Sequence, residues 1–535
     1  MALPREAAST LVRVAPLDEF LEKGRHLFKA GGKQIAVFAG DGGVYACNNR
    51  CPHEGYPLME GSLAQGGEGG CILTCNWHNW KFDLASGETL VGGDRLRRYP
   101  VEIVDGEVWV DIADPPADAV AAAALDALRE SFRRHEYDRM AREISRLQKA
   151  GADPLEALRG AFAWTADRFE FGATHAQAGA ADWLALRDDY AVTEAERLVP
   201  LVEVVGHLAW DSLREPDFPF AEGLLPYDAG KLVAAIEAED EARAVRLVRG
   251  ALFEGRSFRE LEQPLAEAAL AHYQDFGHSL IYVLKTGELI DRLGPASAEP
   301  LLLNLVRSLV YATREDFIPE FRAYGPALAT WDGEGGAPVA PADLLGLSVP
   351  KLLDRVNRSS GDRRALYDAL IGAASWQFLH FDARIPRAVE KPVSHNVNWL
   401  DFTHAITFGN AVRVLCGRYP RLWPQGLLQI ACFVGRNTGF VDKAVDAKPW
   451  QVTDGRGFLD AALKGLLDHD QQEYIVSIHL VKLLSAVKAE VTAAPDAPWV
   501  PMLLAAVNRF LDEPLRRKHP LRSARQAMDF VAAEG

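Results

Sequence analysis

A small all-β domain followed by a large all-α domain is the fold this sequence predicts, and three observations carry it. Residues 10–112 are short β-branched and aromatic runs separated by glycine-rich turns. Near residue 113 the texture changes at ADPPADAVAAAALDAL. Beyond it apolar residues recur at helical spacing and strand-like alternation almost disappears. The expected domains are therefore 1–112 and 113–535, although length alone would suggest about three domain-sized units.

The strands come first. STLVRVAPLDEF, KQIAVFAGDGGVYACNNR, GGCILTCNW, WKFDLASGET and LRRYPVEIVDGEVWVDIADP are broken by GDGG, GGEGG, SGE and DG, each a turn signal. The helices follow, in GKLVAAIEAEDEARAVRLVRGALF, EPLLLNLVRSLVYATREDF, DRRALYDALIGAASWQFLHF and EYIVSIHLVKLLSAVKAEV. Loops such as TWDGEGGAPVAPADLL separate them. Tandem repeats are absent. One faint echo places Thr-His-Ala on a helical stripe in both FGATHAQAGAADWLAL and DFTHAITFGNAVRVL. Aromatic stretches such as AFAWTADRFEF and SWQFLHF read as core.

Composition narrows the function. With 48% hydrophobic and 25% charged residues the chain has ordinary globular balance. Its formal charge of −16 argues against a nucleic-acid partner, which would require a basic face. No apolar run approaches the ~20 residues of a membrane span, and with neither an apolar h-region nor a twin-arginine run in MALPREAASTLVRVAPLDEF no export signal is expected. Four of six cysteines (Cys47, Cys51, Cys71, Cys75) crowd into one segment, which points to a metal site in a reducing cytoplasm.

Cys51-Pro-His53 and Cys75-Asn-Trp-His78 set two thiols and two imidazoles in the pattern C-x-H…C-x-x-H. Such a set can hold zinc tetrahedrally, or a [2Fe–2S] cluster with two cysteines on one iron and two histidines on the other. The surrounding loops, CPHEGYPL and CNWHNWKFDLASGE, resemble the Rieske family over residues 10–112, including Gly55, Pro57, Leu58, Trp80, Phe82, Asp83 and Gly87. The resemblance implies thiolate ligands Cys51 and Cys75 and imidazole ligands His53 and His78. The sequence departs from the family in its GGEGG insertion and in Asn76-Trp77, where Pro-Tyr is common. Cys47 and Cys71 do not occupy the disulfide positions of high-potential respiratory members, so buried strand cysteines are expected. The resemblance is to soluble, lower-potential centres of ferredoxin or oxygenase type.

A Rieske cluster moves single electrons, so an acceptor is expected in the helices. Asn398, Asp401 and His404 partly match the iron motif of ring-hydroxylating oxygenases, but Phe408 and Gly409 stand where its second histidine belongs, and the match is read as chance. His175, His207, His278, His404 and His479 all lie in apolar helical stretches. One such histidine is usually a satisfied core residue; five beside an electron donor suggest a second metal site. FGATHAQAGAADWLAL, HYQDFGHSLIYVL, NWLDFTHAITFGNAVR and SIHLVKLL resemble the questin-oxidase-like proteins, helical non-haem iron oxygenases. That resemblance implies ligands His175, His278, His404 and His479 with Lys482 as a carboxylated lysine. Spaced three apart, His479 and Lys482 would share one helix face. His207 is a reserve ligand, and His272, His380 and His395 are weaker ones. Asp275 and Asp401, each three residues before a histidine, are either acceptors that orient the rings or solvated helix charges.

No nucleotide-binding fingerprint is present, so electrons are expected from a separate NAD(P)H-dependent reductase or a ferredoxin. The expected activity is O₂-dependent oxidation of a small organic, aromatic-type substrate at non-haem Fe(II), in a monomer or an oligomer. Two other readings stay open: an electron carrier whose helices are a metal-free docking scaffold, and a sensor of oxygen or redox state.

Overall fold

The computed structural model describes residues 10–40, 42–66, 70–388, 397–513 and 520–534. The chain divides into two compact units, Met1–Asp153 and Pro154–Gly535.

Three antiparallel sheets make up the strand region of the first unit. One orders β1 (Leu11–Pro16), β11 (Glu107–Asp111) and β10 (Val101–Val104). The second orders β2 (Arg25–Ala30), β3 (Lys33–Gly40), β4 (Gly43–Asn48) and β9 (Arg98–Tyr99). The third is a meander of β5 (Ser62–Gln65), β6 (Cys71–Thr74), β7 (Lys81–Asp83) and β8 (Thr89–Val91). Strand β3 is buried on both faces, which explains its unbroken apolar run. Ile35 and Val37 join one core with Phe20, Val108 and Val110, while Ala36 and Phe38 join another with Cys47, Cys71, Leu73 and Phe82. Cys47 and Cys71 are thus buried strand residues, and no disulfide joins any of the six cysteines.

Strand gives way to helix after Asp111, as the change of texture predicts. The next two helices, Ala117–Arg133 and Tyr137–Lys149, nevertheless belong to the first compact unit. They pair through Leu128, Phe132, Met140, Ile144 and Leu147, all nearly inaccessible.

The second unit is helical. At its centre four helices close a ring in which each packs on the next: His175–Tyr190, His278–Leu293, Trp399–Arg418 and Tyr474–Ala493. Each is buried nearly all round, as the composition of such central helices requires. Gly179 permits one close approach: a Cβ there would lie 1.9 Å from Ile478 Cδ1. Among the described residues no helix is long and apolar enough to cross a membrane.

Candidate metal centres

Two loops of the first unit close in the same way. Cys51 N–H donates to the Tyr56 carbonyl at 2.9 Å, and Gly55 N–H returns to the Cys51 carbonyl at 2.8 Å. In the second loop Cys75 N–H donates to Trp80 O at 2.8 Å and Asn79 N–H to Cys75 O at 3.0 Å. The fifth residue of each loop is left-handed: Gly55 at φ 77° and Asn79 at φ 60°. Glycine and asparagine tolerate that region best, which explains their places in CPHEG and CNWHN.

These turns project His53 and His78 toward each other, with their Nδ1 atoms 3.1 Å apart. Cys51 and Cys75 lie side by side beneath, both nearly inaccessible. Burial pushes the Cys51 thiol up to about 11, against the backbone N–H groups of His53 and Glu54, which donate to its sulfur and favour the thiolate. Each imidazole is covered by an indole. Trp80 stacks on His53 with ring centres 4.6 Å apart and planes at 12°, and Trp77 on His78 at 4.9 Å and 20°. Two buried thiols below two converging imidazoles fit a [2Fe–2S] cluster, with the ring nitrogens aimed at one point.

In the second unit the helix ring brings His175, His278 and His404 together, their ligand atoms within 4.8 Å of one another. His278 Nε2 lies 3.1 Å from His175 Nε2 and 2.9 Å from His404 Nε2. His479 completes the group, its ring 4.8 Å from that of His175 and 5.1 Å from that of His404. The unused ring nitrogens face backbone carbonyls. Nδ1–H of His278 donates to Asp275 O at 2.6 Å, His404 to Leu400 O at 2.6 Å, and His479 to Ile475 O at 2.5 Å. A carbonyl can only accept, so these bonds set the tautomer and leave each Nε2 with a lone pair. Lone pairs converging at such distances repel unless a cation sits among them. His479 Nε2 and Lys482 Nζ are also buried without a hydrogen-bond partner. The donor set therefore fits a metal ion, and imidazole nitrogens suit Fe, Zn, Cu or Ni.

Position along the helices strengthens the fit. The four histidines stand in the first or second turn of their helices, so four N-termini converge on the cluster. Their partial positive charge favours neutral imidazoles and anionic ligands. Burial, with the Lys482 charge behind it, holds His278 down to about 3 and His175 and His479 well below the usual range. His404 is held down by burial and its neighbouring imidazoles. Burial lowers Lys482 itself to about 8, against the attraction of Asp182.

His278 is positioned by an unusual turn. Asp275, Phe276 and Gly277 adopt φ of 47°, 51° and 77° in succession, a strained conformation for a phenylalanine. The turn lays Phe276 on His404, ring centres 5.2 Å apart, with the Arg436 guanidinium 4.9 Å from the Phe276 ring centre.

Of the residues singled out from the sequence, Cys51, His53, Cys75 and His78 gather on two facing loops of the first unit, and His175, His278, His404 and His479 gather in the second with Lys482 close by. His207 stands apart, 3.5 Å from Asp211 and stacked on Tyr474. His272 is held between Asp316 and Glu237, and His380 stacks on Trp376. His395 lies outside the described residues. The carboxylates offered as ring-orienting acceptors do not take that part: the Asp275 carboxylate is 3.9 Å from His278 Nδ1, and Asp401 pairs with Arg436. Backbone carbonyls orient the rings instead. Asn398 and Asp401 form a capping box, which accounts for the partial oxygenase motif. Sequence reading missed Asp182 and its 2.8 Å contact with Lys285. The signal was present, since Asp182 and Lys285 each follow a cluster histidine by seven residues, on the same helix face.

The Rieske [2Fe-2S] domain family matches residues 10–97. A 4beta-methylsterol monooxygenase of Methylococcus capsulatus is 35% identical over 96 residues, covering 16% of this chain and 25% of that protein. A 3-phenylpropionate/cinnamic acid dioxygenase ferredoxin subunit of Photorhabdus laumondii is 32% identical over 15% of this chain and 74% of its own length. The chain thus spans a quarter of the first relative and most of the second. The carbazole 1,9a-dioxygenase ferredoxin of Nocardioides aromaticivorans is 29% identical, with a TM-score of 0.18 over 19% of this chain and 97% of that one. Through its N-terminal domain the chain belongs to the Rieske [2Fe–2S] family. A large helical region follows that domain in the chain.

Proposed function

We propose that this chain is a Rieske-coupled non-haem iron oxygenase, with the redox domain in residues 1–112 and the oxygenase domain within 113–535, its first two helices packing with the redox unit. Cys51 and Cys75 would hold one iron of the cluster and His53 and His78 the other. His175, His278, His404 and His479, with Lys482, would hold a mononuclear iron, and His207 would stand outside the ligand set. One observation carries the reading: a half-buried to buried cluster of four histidines, with His479 Nε2 and Lys482 Nζ left unpartnered, lies in the same chain as a Rieske domain. Zinc would have no use for an electron donor. Iron bound there would supply the one-electron chemistry needed to use O₂.

The chain's own residues have definable parts. Backbone carbonyls of Asp275, Leu400 and Ile475 hold the three Nδ1 protons and keep Nε2 turned inward. Phe276 packs edge-on against His404. His404 and His479 are buried while His175 and His278 are partly open, so substrate would approach from the latter side. Burial raises the Asp275 carboxyl to about 6, and its Oδ2 at that side can carry a proton close to neutral pH. The substrate would be an apolar or aromatic organic molecule. Electrons would come from a reductase or ferredoxin, the partners of this kind of centre.

Iron per chain on anaerobically purified protein, with EPR of the reduced state, tests the proposal. About three irons with a Rieske signal are expected. His404→Ala should lose the helical iron and keep the cluster. Two irons, unchanged by His404→Ala, would leave an electron carrier with a helical docking scaffold.

A further inference from the structure

The second helix after the strands, Tyr137–Lys149, lies beyond the family match, and its arginines reach back to the loop after β8. Asp94 is inaccessible to solvent. Arg142 grips it with two bonds, Nε to Oδ1 at 3.1 Å and Nη2 to Oδ2 at 2.7 Å, and Arg146 adds Nη1 to Oδ1 at 2.8 Å. The residues just before Asp94 have no room for side chains. A Cβ on Gly93 would come 3.0 Å from Arg139 Cδ, and one on Gly92 would come 2.4 Å from Trp80 Cδ2. Gly92 at φ 124° therefore presses its backbone on the Trp80 indole, whose ring stacks on His53. The contacts run unbroken from helix to Asp94, to Gly92, to Trp80, to His53.

We propose that this helix is a buttress for one cluster ligand. Asp94, Arg142 and Arg146 are positioning residues: they hold Gly92 against Trp80, and Trp80 holds the His53 ring in orientation and keeps water off one face. The inference rests on His53 being a cluster ligand, as proposed above. Ring orientation and water access at a ligand both act on a metal centre's electronic structure and potential. Reduction adds one negative charge to the cluster, and water stabilises that charge. Loosening Trp80 therefore raises the midpoint potential and changes the EPR g-values. A packing role alone would move neither.

The test uses the full-length, iron-loaded protein. The pair Asp94→Asn/Arg142→Gln breaks the bidentate grip without changing net charge, so a shift cannot be assigned to a lost charge. Gly92→Ala leaves the ion pairs in place and displaces Trp80 directly. Both variants should keep two cluster irons, shift the g-values of the reduced state and raise the midpoint potential. Arg142→Lys should shift them less than the double variant. Two irons with the parental spectrum and potential in both variants would overturn the inference. If the double variant does not fold, Gly92→Ala decides alone. A parent without a Rieske signal would instead overturn the ligand assignment.

Discussion

Few residues do more for the first unit than Asp94. Burial pushes its carboxyl up, but Arg142 and Arg146 outweigh that and hold it below the ordinary carboxylate range. A carboxyl lowered on folding adds stability above its unfolded value, about 3.9, and loses it as pH falls through the folded value. Asp94→Asn should therefore cost about 3 kcal/mol near pH 7, because two arginines lose their buried counter-charge. The cost should shrink as pH drops below about 4. Melting curves of wild type and variant between pH 7 and pH 3 measure it, and parallel curves would remove Asp94 as the acid-sensitive group. The cluster histidines were visible as residues, in Thr-His-Ala and His-Leu-Val-Lys. What oriented them was not, because a carbonyl acceptor carries no sequence identity.

At the scale of elements, the helix ring depends on one small residue. The His175 and His479 helices cross at Gly179, which stands over Ile478, next to His479 in sequence. Gly179→Val adds volume where a single Cβ already meets Ile478. Overpacking should cost about 1–3 kcal/mol and part His175 from His479. Helical iron should fall well below one per chain while the Rieske signal stays at its parental intensity. Equal iron in variant and parent would mean that this crossing does not set the site. Helix and strand were readable here from periodicity and turn residues. The attachment of the Ala117–Lys149 segment to the strand unit was not readable: three arginines on a helix look like a solvated face until Asp94 is placed among them.

For the whole molecule, the two centres are expected to assemble independently, because no ligand of one lies among the ligands of the other. Cys75→Ser should abolish the Rieske EPR signal and leave about one iron per chain in the helical site. With its reductase or dithionite as donor, that variant should fail to turn over with O₂. Loss of all iron from Cys75→Ser would instead show that the helical site requires the cluster to form. Activity retained without the cluster would place the physiological donor elsewhere.

The sequence by itself determined the order of β before α, the Rieske domain and the histidines and cysteines from which both proposed centres are assembled. Short-range spacing carries that information, since C-x-H and C-x-x-H fit single loops and a histidine stripe fits a single helix. Tertiary structure alone decided that histidines more than three hundred residues apart in sequence meet at one point, and that His207 stands aside. It also decided that Asp401 caps a helix rather than serving a ring, and that arginines of a helix beyond the strands grip Asp94. Each of those outcomes depends on which helix packs against which, and one-dimensional periodicity contains no distances between helices.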